Sequence, residues 1–321
     1  MTTFPKLQKW VLFTACFALG VVALGAYTRL KDAGLGCPDW PGCYGQLWLN
    51  EQAATQPIDS HKAWIEMIHR YAASTLGLLI LTLNVAAFRF RKNPLFPKKL
   101  AMALLLLVVF QGALGMWTVT LKLLPPVVMG HLLGGFLTVA LLFAMWQKLG
   151  EKPFVVAKPC FVKAARLALL LVLIQIALGA WTSTQYAALA CPDFPTCQGQ
   201  WIPTQFDFKN AFHPWPMGPN GYEFGVLDNA ARVTIHWLHR VNAIVLALFL
   251  FALSLVGLKK QASQPLKLQF ILMLGLLGLQ ISLGILNVVT HLSLHVAVSH
   301  NLVAALLFVT VLLINTRLAK P

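Results

Sequence analysis

The chain has 321 residues, of which 58% are hydrophobic and only 11% charged, and its mean hydropathy is +0.71. Those values lie outside the range of soluble globular domains and exclude that class. The net charge of +15 would suggest a nucleic-acid partner only if the basic residues shared one surface; they are instead spread over alternate loops, so no nucleic acid is expected.

Apolar runs of the roughly 20 residues that a helix needs to cross a bilayer fall near 10–28, 67–88, 99–121, 127–147, 163–184, 236–257, 266–289 and 294–315. We therefore predict an all-α integral membrane protein with eight transmembrane helices. Lys6 and Lys9 precede the first span, and Arg89, Arg91, Lys92, Lys98 and Lys99 lie between the second and third. Lys148, Lys152, Lys158, Lys163 and Arg166 follow between the fourth and fifth, then Lys259, Lys260 and Lys267, then Arg317 and Lys320. These connections hold 17 of the 25 Lys and Arg and a single acidic residue, Glu151. By the positive-inside rule they are cytoplasmic, with both termini. The first apolar stretch is longer than a signal-peptide core, and its exit, Leu24-Gly25-Ala26-Tyr27-Thr28, recurs as Leu178-Gly179-Ala180-Trp181-Thr182. It is read as a retained helix.

After the first span comes GCPDWPGCYGQ (36–46), and after the fifth comes ACPDFPTCQGQ (190–200). The second span opens with IEMIHR (65–70), the sixth with IHWLHR (235–240). FQGALGMWTV (110–119) leading to VVMGHLLGG (127–135) is answered by LQISLGILNV (279–288) leading to VAVSHNLVA (296–304). Gln-x-x-Leu-Gly closes three spans, at Gln111, Gln175 and Gln280. The pattern predicts two tandem four-helix bundles, 1–150 and 151–321, related by a pseudo-twofold axis along the membrane normal.

Aligning the halves pairs His69 with His239 and His131 with His300, each at the outer end of an even-numbered span. Ionisable residues in spans are costly and face the bundle interior. One such histidine is readily explained by a hydrogen bond across helices; two matched pairs point instead to axial ligation of haem iron by facing imidazoles. Gly112, Gly115, Gly134, Gly135, Gly179 and Gly284 would let backbones or a flat macrocycle approach closely, as would ordinary small-residue packing. Arg70 and Arg240 follow the first histidine of each pair and are candidates for propionate contacts, with snorkelling as the alternative. Zinc fits poorly, because the histidines lack short ligand spacing.

The halves differ at one position. Glu66 lies three residues before His69, about 4.5 Å along the helix axis, where the second half has His236. A carboxyl group beside a haem edge can take a proton or steady a positive charge; the alternative is an i,i+4 partner for Arg70.

Taken together, the eight spans in two repeats, the Cys-Pro-Asp-Trp-Pro and Cys-Pro-Asp-Phe-Pro loops, Glu66-Met-Ile-His69-Arg70 and the later His131, His239 and His300 resemble the haem A synthase family of the CtaA/Cox15 type, over nearly the whole chain. The resemblance implies an oxidoreductase of the bacterial inner membrane that oxidises the C8 methyl of haem O to the formyl group of haem A for cytochrome oxidase. The methyl would pass through an alcohol and a hydrated aldehyde that loses water. It implies that His69 and His131 hold the substrate haem O, that His239 and His300 hold a haem b cofactor, and that Glu66 is catalytic. Haem O synthase would deliver the substrate, an unidentified acceptor would take the electrons, and self-association into a homo-oligomer is left open. A di-haem b-type electron-transfer subunit without porphyrin chemistry is the competing reading, since a relay needs the same two pockets.

The cysteine loops face the oxidising side, where disulfides persist, so bonds Cys37–Cys43 and Cys191–Cys197 are expected, with Cys16 and Cys160 reduced. A shared four-cysteine metal site is disfavoured by the x5 spacing, and a redox role for the first pair stays open. Trp40, Trp48, Trp201, Trp215 and Trp237 read as an outer aromatic belt. His61 and His213 are expected to be solvated, His291 and His295 to sit at a surface turn, and His236 to line the second pocket.

Overall fold

The computed structural model describes residues 4–50, 59–93, 96–150, 155–215, 221–260 and 264–319. Glu151, Lys152 and Lys320, used above for the charge pattern, lie outside them. The elements run α1 (Pro5–Leu30), α2 (Ser60–Arg89), α3 (Lys98–Thr120), α4 (Pro125–Leu149), β1 (Val155–Val156), α5 (Pro159–Thr184), α6 (Phe208–Ala211), α7 (Asn229–Lys260), α8 (Gln264–Val289), α9 (Leu294–Arg317) and β2 (Leu318–Ala319). Eight of the described helices, all but α6, are long and apolar enough to cross a membrane.

Two helices begin well before their apolar runs. Hydropathy places the start of the second span at 67 and of the sixth at 236, whereas α2 starts at Ser60 and α7 at Asn229. The added turns, SHKAWIE and NAARVTI, are amphipathic, so they carry helical pattern without net hydropathy. Each start is capped by a carboxylate: Asp59 accepts from the Lys62 amide at 3.2 Å and Asp228 from the Ala231 amide at 3.0 Å, satisfying amides that have no intrahelical partner. Glu66 and His69 therefore sit inside a formed helix, below a polar collar that packs against the first cysteine loop.

Helix α1 packs against α2 and α4, and α3 against the same two, closing a ring of four; α5 and α8 likewise each pack against α7 and α9. The rings meet along α4 and α9, with α1 and α5 alongside. Phe136, Val139, Leu142 and Met145 of α4 and Ala305, Phe308, Val309 and Val311 of α9 form the buried seam. Polar contacts close it at the end of α4 and α9. Gln147 Nε2 donates to Thr316 Oγ1 at 2.7 Å, Arg317 Nε to Gln147 Oε1 at 3.2 Å, and Asn315 Nδ2 to the Ala165 carbonyl at 2.8 Å. Strand β1 pairs in parallel with β2 there. At the other end Arg29 donates to the Ser183 carbonyl at 2.8 Å and lies 4.0 Å from the centre of the Tyr186 ring, a cation–π contact.

The two cysteine loops share one backbone design. Both disulfides are formed, Cys37–Cys43 with Cα atoms 4.8 Å apart and Cys191–Cys197 with Cα atoms 4.5 Å apart, while Cys16 and Cys160 are free and exposed. Tyr44 and Gln198 adopt positive φ, each followed by a glycine that does the same, Gly45 and Gly199; at both places the chain doubles back on itself. An aspartate braces each turn. Asp39 accepts from the amides of Tyr44 (2.6 Å) and Gly45 (2.7 Å), and Asp193 from those of Gln198 (2.6 Å) and Gly199 (2.9 Å). Burial pushes the Asp193 carboxyl up, but the Thr196 hydroxyl and the Gly199 and Gln198 amides donate to it and hold it below its ordinary value of 3.8.

Candidate functional site

Four histidines that are far apart in sequence each lie over a glycine of a neighbouring helix. A Cβ placed on Gly25 of α1 would stand 3.0 Å from the His69 ring, one on Gly115 of α3 3.5 Å from His131, one on Gly179 of α5 3.1 Å from His239 and one on Gly284 of α8 3.3 Å from His300. The sequence marks out Gly115, Gly179 and Gly284, whereas it does not single out Gly25. The signal for Gly25 is present in the recurring Leu-Gly of the helix exits, but Val21 stands where the other three motifs have glutamine. A Cβ added at Gly112 would meet nothing within 4 Å, and one at Gly135 only Val22 at 3.8 Å, so neither glycine belongs to this pattern.

In the first half the His69 and His131 rings face each other with centres 6.4 Å apart and planes at 89°. An imidazole nitrogen binds a first-row metal at about 2 Å, so two rings sharing one iron from opposite sides have centres roughly 6 Å apart. The spacing fits. Nδ1 of His69, His131 and His300 is shielded from solvent and has no hydrogen-bond partner, an arrangement that proteins rarely leave without a purpose. Among the described residues, no cluster of three or more His, Cys, Asp and Glu could hold a bare metal ion. Donor sets made of histidine pairs suit haem iron rather than zinc.

In the second half Gln175 Nε2 lies 3.2 Å from His239 Nδ1 and its Oε1 accepts from Asn242 at 2.7 Å. Gln280 Nε2 lies 3.3 Å from His300 Nε2. Each amide N–H meets the lone pair of a ring nitrogen, so the contact holds the free ring in place and would be given up on ligation.

Glu66 is only 4% exposed. Its Oε2 accepts from the Cys37 amide at 2.8 Å and its Oε1 pairs with Arg70 Nη2 at 2.6 Å. Arg70 in turn donates to the carbonyls of Asp39 (2.9 Å), Pro41 and Gly42. The loop is pressed against α2 so closely that a Cβ on Gly36 would lie 2.6 Å from the Lys62 carbonyl carbon. A carboxylate, a guanidinium and a disulfide-bonded loop thus form one latch over His69.

The same latch recurs with one substitution. His236 Nδ1 faces the Cys191 amide at 3.2 Å and its Nε2 faces Arg240 Nε at 3.2 Å. Arg240 also donates to the carbonyls of Cys191, Asp193 and Thr196, each at 2.8 Å. A carboxylate accepts two donors at once, but a neutral imidazole has only one free lone pair. One of the two contacts to His236 is therefore a close approach rather than a hydrogen bond. The arginine bonds to loop carbonyls are not legible in the sequence, where Arg70 and Arg240 read as propionate contacts; that role would require some of these bonds to be exchanged.

His61, His213, His291 and His295 are exposed, as expected, while His236, expected to line the second pocket, is buried against the Cys191 amide and Arg240. Trp40, Trp48, Trp201 and Trp215 are exposed apolar surface. Trp237 donates from its indole to the Trp201 carbonyl at 3.1 Å.

Known proteins resemble this chain over nearly its whole length. The chain is 48% identical to a protein of Shewanella oneidensis named heme A synthase, over 95% of each chain. It is 26% identical to a heme A synthase of Wolbachia pipientis subsp. Culex pipiens and 27% identical to one of Halalkalibacterium halodurans, over 93% of each chain in both cases. The family model for COX15-CtaA, described as cytochrome oxidase assembly protein, matches residues 8–312. A match of that extent, together with these relatives, places the chain in the COX15-CtaA family of cytochrome oxidase assembly proteins.

Proposed function

We propose that the protein is a haem A synthase, an oxidoreductase that converts the C8 methyl of its substrate haem O to the formyl group of haem A. The observation that carries this reading is the pair of facing imidazoles, His69 and His131, with the buried Glu66 carboxylate one turn away on the same helix. The 48% identity to a named heme A synthase supports it independently.

In this reading His69 and His131 bind the iron of haem O, and Gly25 and Gly115 leave the rings room to do so. Glu66, as a carboxylate, steadies the positive charge that develops at the methyl carbon as the acceptor draws off its electrons, or takes up the proton released there. Arg70 keeps that carboxylate in place and the Cys37 amide fixes its second oxygen. The loop closed by Cys37–Cys43 excludes water from the outer side of the pocket. His239 and His300 bind haem b, which when bound supplies one-electron relay. Gln175 and Gln280 hold these rings in place until iron takes over the lone pair that each amide meets. Arg70 and Arg240, above the pockets, meet haem propionates by exchanging loop carbonyls for carboxylates.

The protein lies in the bacterial inner membrane as two tandem four-helix bundles, 1–150 and 151–321, related by a pseudo-twofold axis. Its termini are cytoplasmic and its cysteine loops extracytoplasmic. Haem O synthase hands over the substrate, and an acceptor still to be identified takes the electrons. The test is expression with a haem O supply in a host that makes no haem A, followed by extraction of the haems. Haem A or its hydroxylated intermediate is expected. Recovery of both bound haems with neither product would replace the enzyme with an electron-relay subunit.

A further inference from the structure

Between the two helix rings, an open apolar groove of about 590 Å³ is lined by α3 and α4 on one side and α5 and α9 on the other. That volume falls within the roughly 300–1,000 Å³ of small-molecule pockets. Phe110, Leu133, Leu137, Ile174, Ala177 and Phe308 make up much of its wall. It starts at Gly130, beside His131, and continues along α4 to Leu137, about 10 Å at 1.5 Å per residue. The polar side chain in this wall is Gln111, whose Nε2 is shielded from solvent and has no acceptor.

Gln111 can lie there because residue 134 is glycine: a Cβ on Gly134 would collide with its amide. In the second half the matching glutamine is Gln280, and the matching residue on the next helix is Val303, which is buried. There, as at Gln175, the amide nitrogen is already turned to a histidine. Only the first-half glutamine combines an unsatisfied donor, a glycine opposite and an apolar groove.

We propose that this groove receives the farnesyl chain of haem O, and that the Gln111 amide meets the hydroxyl at the start of that chain. The inference rests on the first half being the haem O site. Haem O differs from protohaem by a hydroxylated farnesyl chain in place of one vinyl group, and the wall offers a counterpart for each part: apolar side chains for the isoprenoid and one amide for the hydroxyl. A phospholipid acyl chain would fill the same space but offers no hydrogen-bonding group at that depth, leaving the amide unpaired. Groove and glutamine together would let the first site prefer haem O over the protohaem that the second site holds.

The test is purification of the full chain from a host making both protohaem and haem O. Haems are then extracted and counted per chain, with haem O and any haem A formed from it pooled as farnesylated haem. Leu133→Trp and Ile174→Trp fill the groove from opposite walls, and Gln111→Leu removes the amide. Both Trp variants are expected to lose farnesylated haem at least about tenfold while retaining protohaem, which also reports that they fold. Gln111→Leu should lower the ratio of farnesylated haem to protohaem by about five- to tenfold, the worth of one hydrogen bond. Unchanged farnesylated haem in both Trp variants overturns the proposal, even if co-purifying phospholipid falls. Equal loss of both haems in all three variants also overturns it. A wild-type chain that holds protohaem but takes up no haem O overturns the functional reading itself.

Discussion

Glu66 holds two positions at once, since its carboxylate accepts from Cys37 and Arg70 yet sits one turn from His69. These roles are separable by substitution. Glu66→Gln keeps an oxygen for the donors but cannot take up a proton, so it is expected to retain both haems and both disulfides while haem A formation falls below detection. Glu66→Ala removes that oxygen too, whereas the counter-charge of Arg70 is lost in both variants. The pair is well buried, with side chains 13% and 6% exposed, so Glu66→Ala should cost about 3 kcal/mol, read as a thermal midpoint below that of the wild type and below that of the Gln variant, which still offers one acceptor. Retained oxidation in Glu66→Gln would reduce Glu66 to a latch residue like His236. The glycines beneath the histidines give a second residue-scale prediction. Gly25→Leu puts a branched side chain where even a Cβ comes within 3.0 Å of the His69 ring, and should empty the first site alone. Gly179→Leu, with its Cβ 3.1 Å from His239, should empty the second alone. Haem content by extraction distinguishes the two outcomes, and loss of both haems from either variant would mean that the glycines serve general packing.

At the scale of elements, each cysteine loop is held three ways: by a disulfide, by an aspartate bracing its turn and by an arginine from the helix below. For Asp193 the pH dependence has a definite sign. Its carboxyl lies below its ordinary 3.8 in the folded loop, so the stability it contributes is present above that value and is lost as pH falls through the lowered one. Reduction of Cys191–Cys197 by a phosphine should therefore keep its margin below the Asp193→Asn rate from neutral pH down to about 4 and lose it only as pH falls from about 3.8 through the lowered value. Asp193→Asn should show the fast rate throughout, and a wild-type rate independent of pH would remove the aspartate from the account. How much of these elements the sequence reveals depends on the kind of force involved. The spans are legible because lipid demands long apolar runs, and the disulfides because cysteines six apart in sequence have near neighbours to meet. The collars of α2 and α7 are not, because amphipathic turns vanish in averaged hydropathy. Nor is the grip of Arg70 on Asp39, which depends on how a loop 31 residues away folds back. Gly25 is hidden for a simpler reason: Val21 breaks the glutamine motif that marks its three counterparts.

At the scale of the whole molecule, the halves are joined by packing of α9 against both α1 and α4 and of α4 against α5, while the covalent link at 151–154 lies between α4 and β1. Van der Waals fit and interhelical hydrogen bonds, which drive helix association in lipid, are both present across this seam: the apolar residues of α4 and α9 and the Gln147, Thr316 and Arg317 cluster. A chain cut between 150 and 155 should therefore reassemble when 1–150 and 151–321 are expressed together. The halves should co-purify in detergent with both haems bound. Gln147→Leu should weaken that association, because it leaves Arg317 with its Nε unpaired in addition to an Nη1 that already lacks a partner, a cost of about 1–3 kcal/mol for a buried donor. The β1–β2 pairing adds little, since it joins only two residues from each strand. Substituting Val155 with proline, which cannot donate to a ladder, should leave co-purification intact. If the halves fail to associate unless covalently joined, the seam between α4 and α9 is held together by the connection rather than by its own packing.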